Sequence, residues 1–287
     1  MKKYIFAISL MVTAFAFSQT KTYRVGFLLD KNSIEIRSLI DRLSDEISAV
    51  VGEDAIIEFA DSSKLFNNFD LAKAFDNYSL LLQNDTDIII AFGIVNNSVI
   101  SKIGTYQKPT IVFGALSEEL LIDETLVSNI ANYTSIFTSQ SYKEDLKLLK
   151  TIANPEIVGV VIEKAFSDNL PIAETFNKIG EELDLETRLI TFESLSDITS
   201  NLDNIDAVYI AGGFYFGDAE MQQLADVLIE KKLPSFTTNP VKDVKNGILA
   251  SNQDQSEINQ VFRRIALTVE SVVNGEDLSD LSTKLES

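Results

Sequence analysis

Asp87-Ile88-Ile89-Ile90-Ala91-Phe92-Gly93 is an apolar run without alternation, opened by a carboxylate and closed by glycine. A strand with one face in water alternates polar and apolar residues, whereas a strand covered on both faces does not. The run therefore reads as a strand at the centre of a parallel sheet. Its neighbours alternate in kind. Upstream, Tyr23 to Leu29 reads as a strand, and Ser33 to Val51 as a helix with Ile36, Leu39, Ile40, Leu43, Ile47 and Val50 on one face. Ala55 to Ala60 is a second strand and Asp70 to Gln83 a second helix; downstream, Asn97 to Ile103 is a short helix and Pro109 to Phe113 a fourth strand. Strand and helix in strict alternation imply right-handed βαβ units, with helices on both faces of the sheet.

The segment from Leu120 to Thr138 breaks the rhythm and reads as a crossing into a second unit. There, helices at Tyr142–Ile152, Asn169–Leu183 and Ala219–Lys231 alternate with strands at Ile157–Ile162, Glu186–Phe192 and Asp206–Ala211. Short strands at Pro234–Phe236 and Gly247–Ala250 follow, then a helix carrying Ile258, Val261, Phe262, Ile265, Val269, Val272 and Val273. The expected fold is α/β, with two doubly wound, Rossmann-like lobes joined by a hinge. The expected lobes are 22–131, completed by 253–275, and 132–252, with a tail over 276–287. Only five prolines and twelve glycines are present, so no long flexible linker is expected.

The first residues are of another kind. Met1-Lys2-Lys3, an apolar run from Tyr4 to Phe17 and the small-x-small site Ala16-Phe17-Ser18 read as a cleaved secretory signal over 1–18. The alternative is an uncleaved anchor, for which the run is short against the roughly 20 residues a span needs. Without the leader the formal charge of -19 becomes about -21. No basic patch offsets it, so nucleic acid and anionic membrane surfaces are poor partners. Cysteine and histidine are both absent. That inventory excludes disulfides, thiol nucleophiles, zinc sites and imidazole bases, so no metal or cofactor is expected. The serines lack a histidine partner and no G-x-S-x-G elbow occurs, which argues against an enzyme.

Ligands of open α/β sheets sit beyond the carboxyl ends of the strands. In the first lobe those ends carry Asp30 and Asn32, then Asn96, Asn97 and Ser98, then Gly114 and Leu116. In the second they carry Phe166, then Gly213, Phe214, Tyr215 and Phe216, then Asn239. Asp30 reads either as a partner for a ligand ammonium group or as a solvated turn residue. Ser33, Ser98 and Ser117 read as helix caps, or as helix starts that receive a carboxylate. The run Phe214–Phe216 reads as an apolar wall for a flat ligand, or as packing beneath the next helix.

Several stretches resemble one family. Arg24-Val25-Gly26-Phe27-Leu28, the run from Asp87 to Gly93, and Lys108-Pro109-Thr110-Ile111-Val112-Phe113-Gly114-Ala115 are similar to its first-lobe strands. Leu233-Pro234-Ser235-Phe236, Asn246-Gly247-Ile248-Leu249-Ala250 and Val272-Val273-Asn274-Gly275-Glu276 follow in its C-terminal order. Over roughly Tyr23 to Asp277 the chain resembles ABC transporter substrate-binding proteins of the tryptophan/tyrosine-binding kind, with the type 1 periplasmic-binding fold. Two positions depart from that pattern. Ile94-Val95-Asn96-Asn97-Ser98 stands where members carry Thr-Pro-Ala, and Gly212-Gly213 stands where an Asp for the ligand ammonium is expected.

The resemblance implies a monomeric periplasmic protein that closes on a small molecule and delivers it to an inner-membrane ABC permease. An aromatic or apolar amino acid is the implied ligand. The absence of cysteine leaves no lipid anchor, so retention by an outer membrane, hence a Gram-negative periplasm, is expected. The altered ligand positions also fit a second reading, a periplasmic sensor or accessory protein acting through a protein partner.

Overall fold

The computed structural model describes residues 20–114, 130–136, 141–168, 170–212, 216–252 and 257–280. The expected leader, Leu116, Ser117, Gly213, Phe214 and Tyr215 lie outside them. The first lobe runs β1 (Thr22–Leu29), α1 (Ile34–Val51), β2 (Ile56–Glu58), β3 (Lys64–Phe66), α2 (Leu71–Gln83), β4 (Ile88–Phe92), α3 (Ile94–Ile100), β5 (Thr110–Phe113) and β6 (Tyr133–Ile136). The second runs α4 (Tyr142–Ala153), β7 (Ile157–Glu163), α5 (Lys164–Ser167), α6 (Ile172–Leu183), β8 (Glu186–Phe192), α7 (Leu195–Thr199), β9 (Ala207–Ile210), α8 (Asp218–Glu230), β10 (Ser235–Thr237), α9 (Pro240–Lys245) and β11 (Ala250–Ser251). The helix α10 (Glu257–Val273) follows.

Both sheets are parallel and carry the same strand order. The first is β2-β1-β4-β5-β6, with β3 also on β1, and the second is β11-β10-β9-β7-β8. Numbered within its own lobe, each reads 2-1-3-4-5. In this doubly wound order the crevice opens between the first and third strands, where successive connections leave in opposite directions. Those pairs are β1/β4 and β7/β9.

Local chemistry accounts for the elements. Ser33 accepts a hydrogen bond on Oγ from the Ile36 N–H (3.3 Å) and starts α1, whose Ile36, Ile40, Leu43, Ile47 and Val51 are buried on one face. The apolar run that sets the fold is buried as its composition requires, with Ile88, Ile89, Ile90 and Ala91 all at 0% exposure. The expected second strand at Ala55–Ala60 is β2, on the start of β1, and an unexpected strand, β3, pairs with the end of β1 after a 3-10 turn at Asp61–Ser63. A further parallel strand, β6, pairs with β5 inside the segment expected to be a crossing.

After the second lobe the chain returns. Val261, Phe262, Ile265, Ala266 and Val269 of α10 share a buried cluster with α1, β1 and β4. Arg42 donates to the Asn259 side chain (2.8 Å), and the Tyr23 hydroxyl donates to the Val273 carbonyl (3.1 Å), both across this seam. Among the described residues no helix is long and apolar enough to cross a membrane.

Candidate functional site

At the β1/β4 crevice the carboxylate of Asp30 is 1% exposed. Its Oδ2 accepts from the Val95 N–H (2.8 Å), and its Oδ1 accepts from the Asn96 N–H (3.0 Å) and from Asn67 Nδ2 (2.8 Å). Asp30 thus caps α3 from a different strand. It is neither a solvated turn residue nor short of partners. Burial pushes its carboxyl up to about 6, against the opposing pull of Asn67 and of the Val95, Asn96 and Ile94 backbone groups. Gly93 (φ +112) makes the arrangement possible, because a side chain there would strike the Asp30 carboxylate.

The cap also corrects the expected start of α3. The helix begins at Ile94 rather than Asn97, and Ser98 lies within it, donating from Oγ to the Val95 carbonyl (3.0 Å) instead of capping. Asn96 is tied on three sides: its N–H to Asp30, its Oδ1 to Asn67 Nδ2 (3.0 Å) and its Nδ2 to the Phe92 carbonyl (3.0 Å). Asn97 is different. Its residue is 7% exposed, yet its buried Nδ2 has no hydrogen-bond partner. It lies one turn beyond Ile94 and on the same helix face.

That face meets the other lobe. Ile94 belongs to the buried cluster of the second lobe, with Tyr142, Leu146, Phe166 and Phe176, and Phe69 packs against the same cluster. The Phe69 and Phe166 rings meet edge to face, their centroids 5.9 Å apart and their planes at 68°. Residues at the carboxyl ends of β3, β4 and β7 therefore come together between the lobes.

The second lobe repeats the plan with different residues. Glu163 ends β7 and is 7% exposed, and a side chain on Gly212, just past β9, would strike its carboxylate. At the end of β10, Thr238 donates its N–H to the Ile210 carbonyl (3.2 Å). Its hydroxyl is buried and has no hydrogen-bond partner. Buried polar atoms are nearly always satisfied in folded proteins. Asn97 Nδ2, in α3, and the Thr238 hydroxyl, just past β10, are exceptions in opposite lobes, and the Thr86 and Thr134 hydroxyls are others elsewhere in the first lobe. Lys164, the nearby cation, is spent on Asp168 (2.6 Å), which raises its pKa.

The other candidates fall elsewhere. Asn32 is exposed and accepts on Oδ1 from Arg37 Nε (2.8 Å). Gly114 ends β5. Phe216 is 6% exposed and stacks on Phe192 (4.8 Å) in the core beneath α8, so its ring belongs to packing. Asn239 donates its N–H to Thr237 Oγ1 (3.0 Å), and its carbonyl receives the Asp243 N–H (3.2 Å), opening α9. Asn67, Phe69, Ile94 and Glu163 of the crevice stand outside the expected set, and Thr238 lies beside the expected Asn239. Asn67-Asn68-Phe69 before the Asp70 cap carried the signal, since paired asparagines favour left-handed backbone. Among the described residues no group of three or more acidic side chains is placed to hold a metal ion.

No family model matches this chain, and no curated relative does. Solved structures do match. An ABC domain from Streptococcus pneumoniae in complex with L-Trp is 16% identical, with a TM-score of 0.65 over 93% of this chain and 90% of that one. A conserved domain protein of Vibrio cholerae is 14% identical, with a TM-score of 0.67 over the same shares. A fatty acid ABC transporter substrate-binding protein from Thermomonospora curvata is 15% identical, with a TM-score of 0.55 over 76% of this chain and 57% of that one. At these identities the likeness is one of fold: two lobes of the type 1 periplasmic-binding kind, an architecture found here among ABC transporter substrate-binding proteins and extracellular ligand-binding receptors.

Proposed function

We propose that this chain is a secreted solute-binding protein. It takes a small molecule into the crevice between its lobes and hands it, chemically unchanged, to an ABC permease in the inner membrane. The observation that carries the reading is that each lobe holds an unsatisfied buried polar group beyond a strand of its crevice side, Asn97 Nδ2 within α3 and the Thr238 hydroxyl just past β10. Each is buried without a hydrogen-bond partner from the chain. A ligand carbonyl or carboxylate supplies the missing acceptor, and the gain is large because the cost of desolvation is already met.

The ligand class follows from what surrounds these groups. Ile94, Phe69 and Phe166 give an apolar and aromatic border, while no histidine, cysteine or tryptophan is present. An aromatic or apolar amino acid fits this border, with its carboxylate toward Asn97 and its side chain toward the rings. The pneumococcal neighbour was solved with L-Trp, which supports trying that class first.

Because the chain contains no tryptophan, L-tryptophan can be excited selectively in its presence. A titration of L-tryptophan with the mature protein should give a saturable blue shift and rise in anisotropy. Emission unchanged at excess protein would remove the aromatic amino acid from the reading.

A further inference from the structure

Phe69 is the lobe-to-lobe contact with the least comfortable backbone. Its φ is +64°, and that of Asn68 before it is +54°. Asparagine tolerates left-handed backbone, but a bulky aromatic residue there is an outlier and persists only where its surroundings enforce it. The enforcement is visible. The Phe69 N–H is shared between Asn67 Oδ1 (2.7 Å) and the Asp30 carbonyl (3.2 Å), and the Asn67 N–H donates to the Leu29 carbonyl (3.0 Å). Asn67 is itself buried and clamped by Asp30 and Asn96. The polar network of the first lobe thus fixes one strained residue.

The result of that strain is a ring aimed out of its own lobe. Phe69 belongs to the β3–α2 connection, yet it packs on the second lobe's cluster and sits edge-on to Phe166, which is 2% exposed. A glycine at 69 would satisfy the same backbone hydrogen bonds without strain. What it would lose is the ring. We infer that Phe69 is an inter-lobe latch: its ring on Phe166 holds the two lobes together and sets how far the crevice stands open.

The absence of cysteine makes a direct test clean. Exposed Asp76 on α2 and Lys178 on α6 are replaced by cysteine and spin-labelled, and the distance distribution between lobes is measured without ligand. The latch predicts a longer and broader distribution for both Phe69→Gly and Phe69→Asn, with a larger radius of gyration by X-ray scattering of the unlabelled chains. Both replacements accept left-handed backbone, so neither depends on tolerating strain. Distributions that coincide with the parent protein would overturn the inference. So would opening by the glycine variant alone, which would assign the change to loop freedom rather than to the missing ring.

Discussion

The Cα of Gly93 lies so close to the Asp30 carboxylate that a β-carbon on it would overlap Oδ2. The two residues end β1 and open α3, and their approach lets a carboxylate from one strand cap the helix that follows another. Gly93→Ala should therefore force Asp30 off the Val95 and Asn96 N–H groups as well as strain its own backbone. We expect a loss of at least about 2 kcal/mol by urea unfolding. Gly104, also at positive φ (+76) but with open space around its Cβ position, serves as the control. Gly104→Ala should cost roughly 1–2 kcal/mol, and equal losses at the two sites would contradict the close approach.

Asp30 should leave a mark on the pH dependence of stability. Its carboxyl is raised from 3.8 to about 6 by burial, so the folded state binds its proton more tightly than the unfolded chain does. A raised acid contributes stability fully below about pH 4, and that contribution is lost as the pH rises through about 6, by about 3 kcal/mol in all. Asp30→Asn has nothing to titrate at this position. The stability difference between parent and variant should shrink between about pH 4 and pH 7, measured by denaturant unfolding at both ends. A difference that widens with pH would contradict the assignment.

Asn97 and stability should move in opposite directions from Asn97 and binding. Its Nδ2 is buried without a partner, so Asn97→Leu, of similar size, removes an unsatisfied donor from the interior. Thermal unfolding without ligand should show no loss and a gain of up to about 1 kcal/mol. Ligand affinity should fall at least about tenfold, the equivalent of one hydrogen bond. A variant that unfolds earlier than the parent would mean that the amide has a structural partner.

The second lobe holds a buried pair of a different kind. The Tyr209 hydroxyl donates to Asp145 Oδ2 (2.7 Å), with both residues at 0% exposure. Tyr209→Phe keeps the ring and removes that bond, and should cost about 1.5–3 kcal/mol. Calorimetry showing a change below about 0.5 kcal/mol would mean that the bond adds nothing net.

Much of this architecture was legible in residue patterns, because burial on both faces of a sheet imposes its own vocabulary. The run at Asp87–Phe92 placed β4, Glu186–Phe192 matched β8, and the periodicity of α1 predicted its buried face. Where the pattern failed, a contact distant in sequence had taken over. The start of α3 is set by Asp30, more than sixty residues upstream, and no local rule for Ser98 can register that. The strand β3 was hidden because Lys64-Leu65-Phe66 is too short to show a period. Of the aromatic run only Phe216 is described, and it packs on Phe192 within the second lobe; among the described residues Phe69, preceded by two asparagines, carries a ring that crosses to the other lobe. Thr238 lies beside the expected Asn239 at a strand end that spacing does mark, but its unsatisfied hydroxyl is a property of its surroundings.

Ligand capture in the crevice is tested most directly by thermal unfolding of the chain from Gln19 onward against single amino acids and small metabolites. A ligand at a hundred times its dissociation constant stabilises by about 2.7 kcal/mol, enough to move the midpoint by a few degrees. The account predicts such a shift with an aromatic or branched apolar amino acid, and its loss in Asn97→Leu. A flat response to the whole panel at millimolar concentration would contradict it, and would favour a protein partner as the molecule this fold engages.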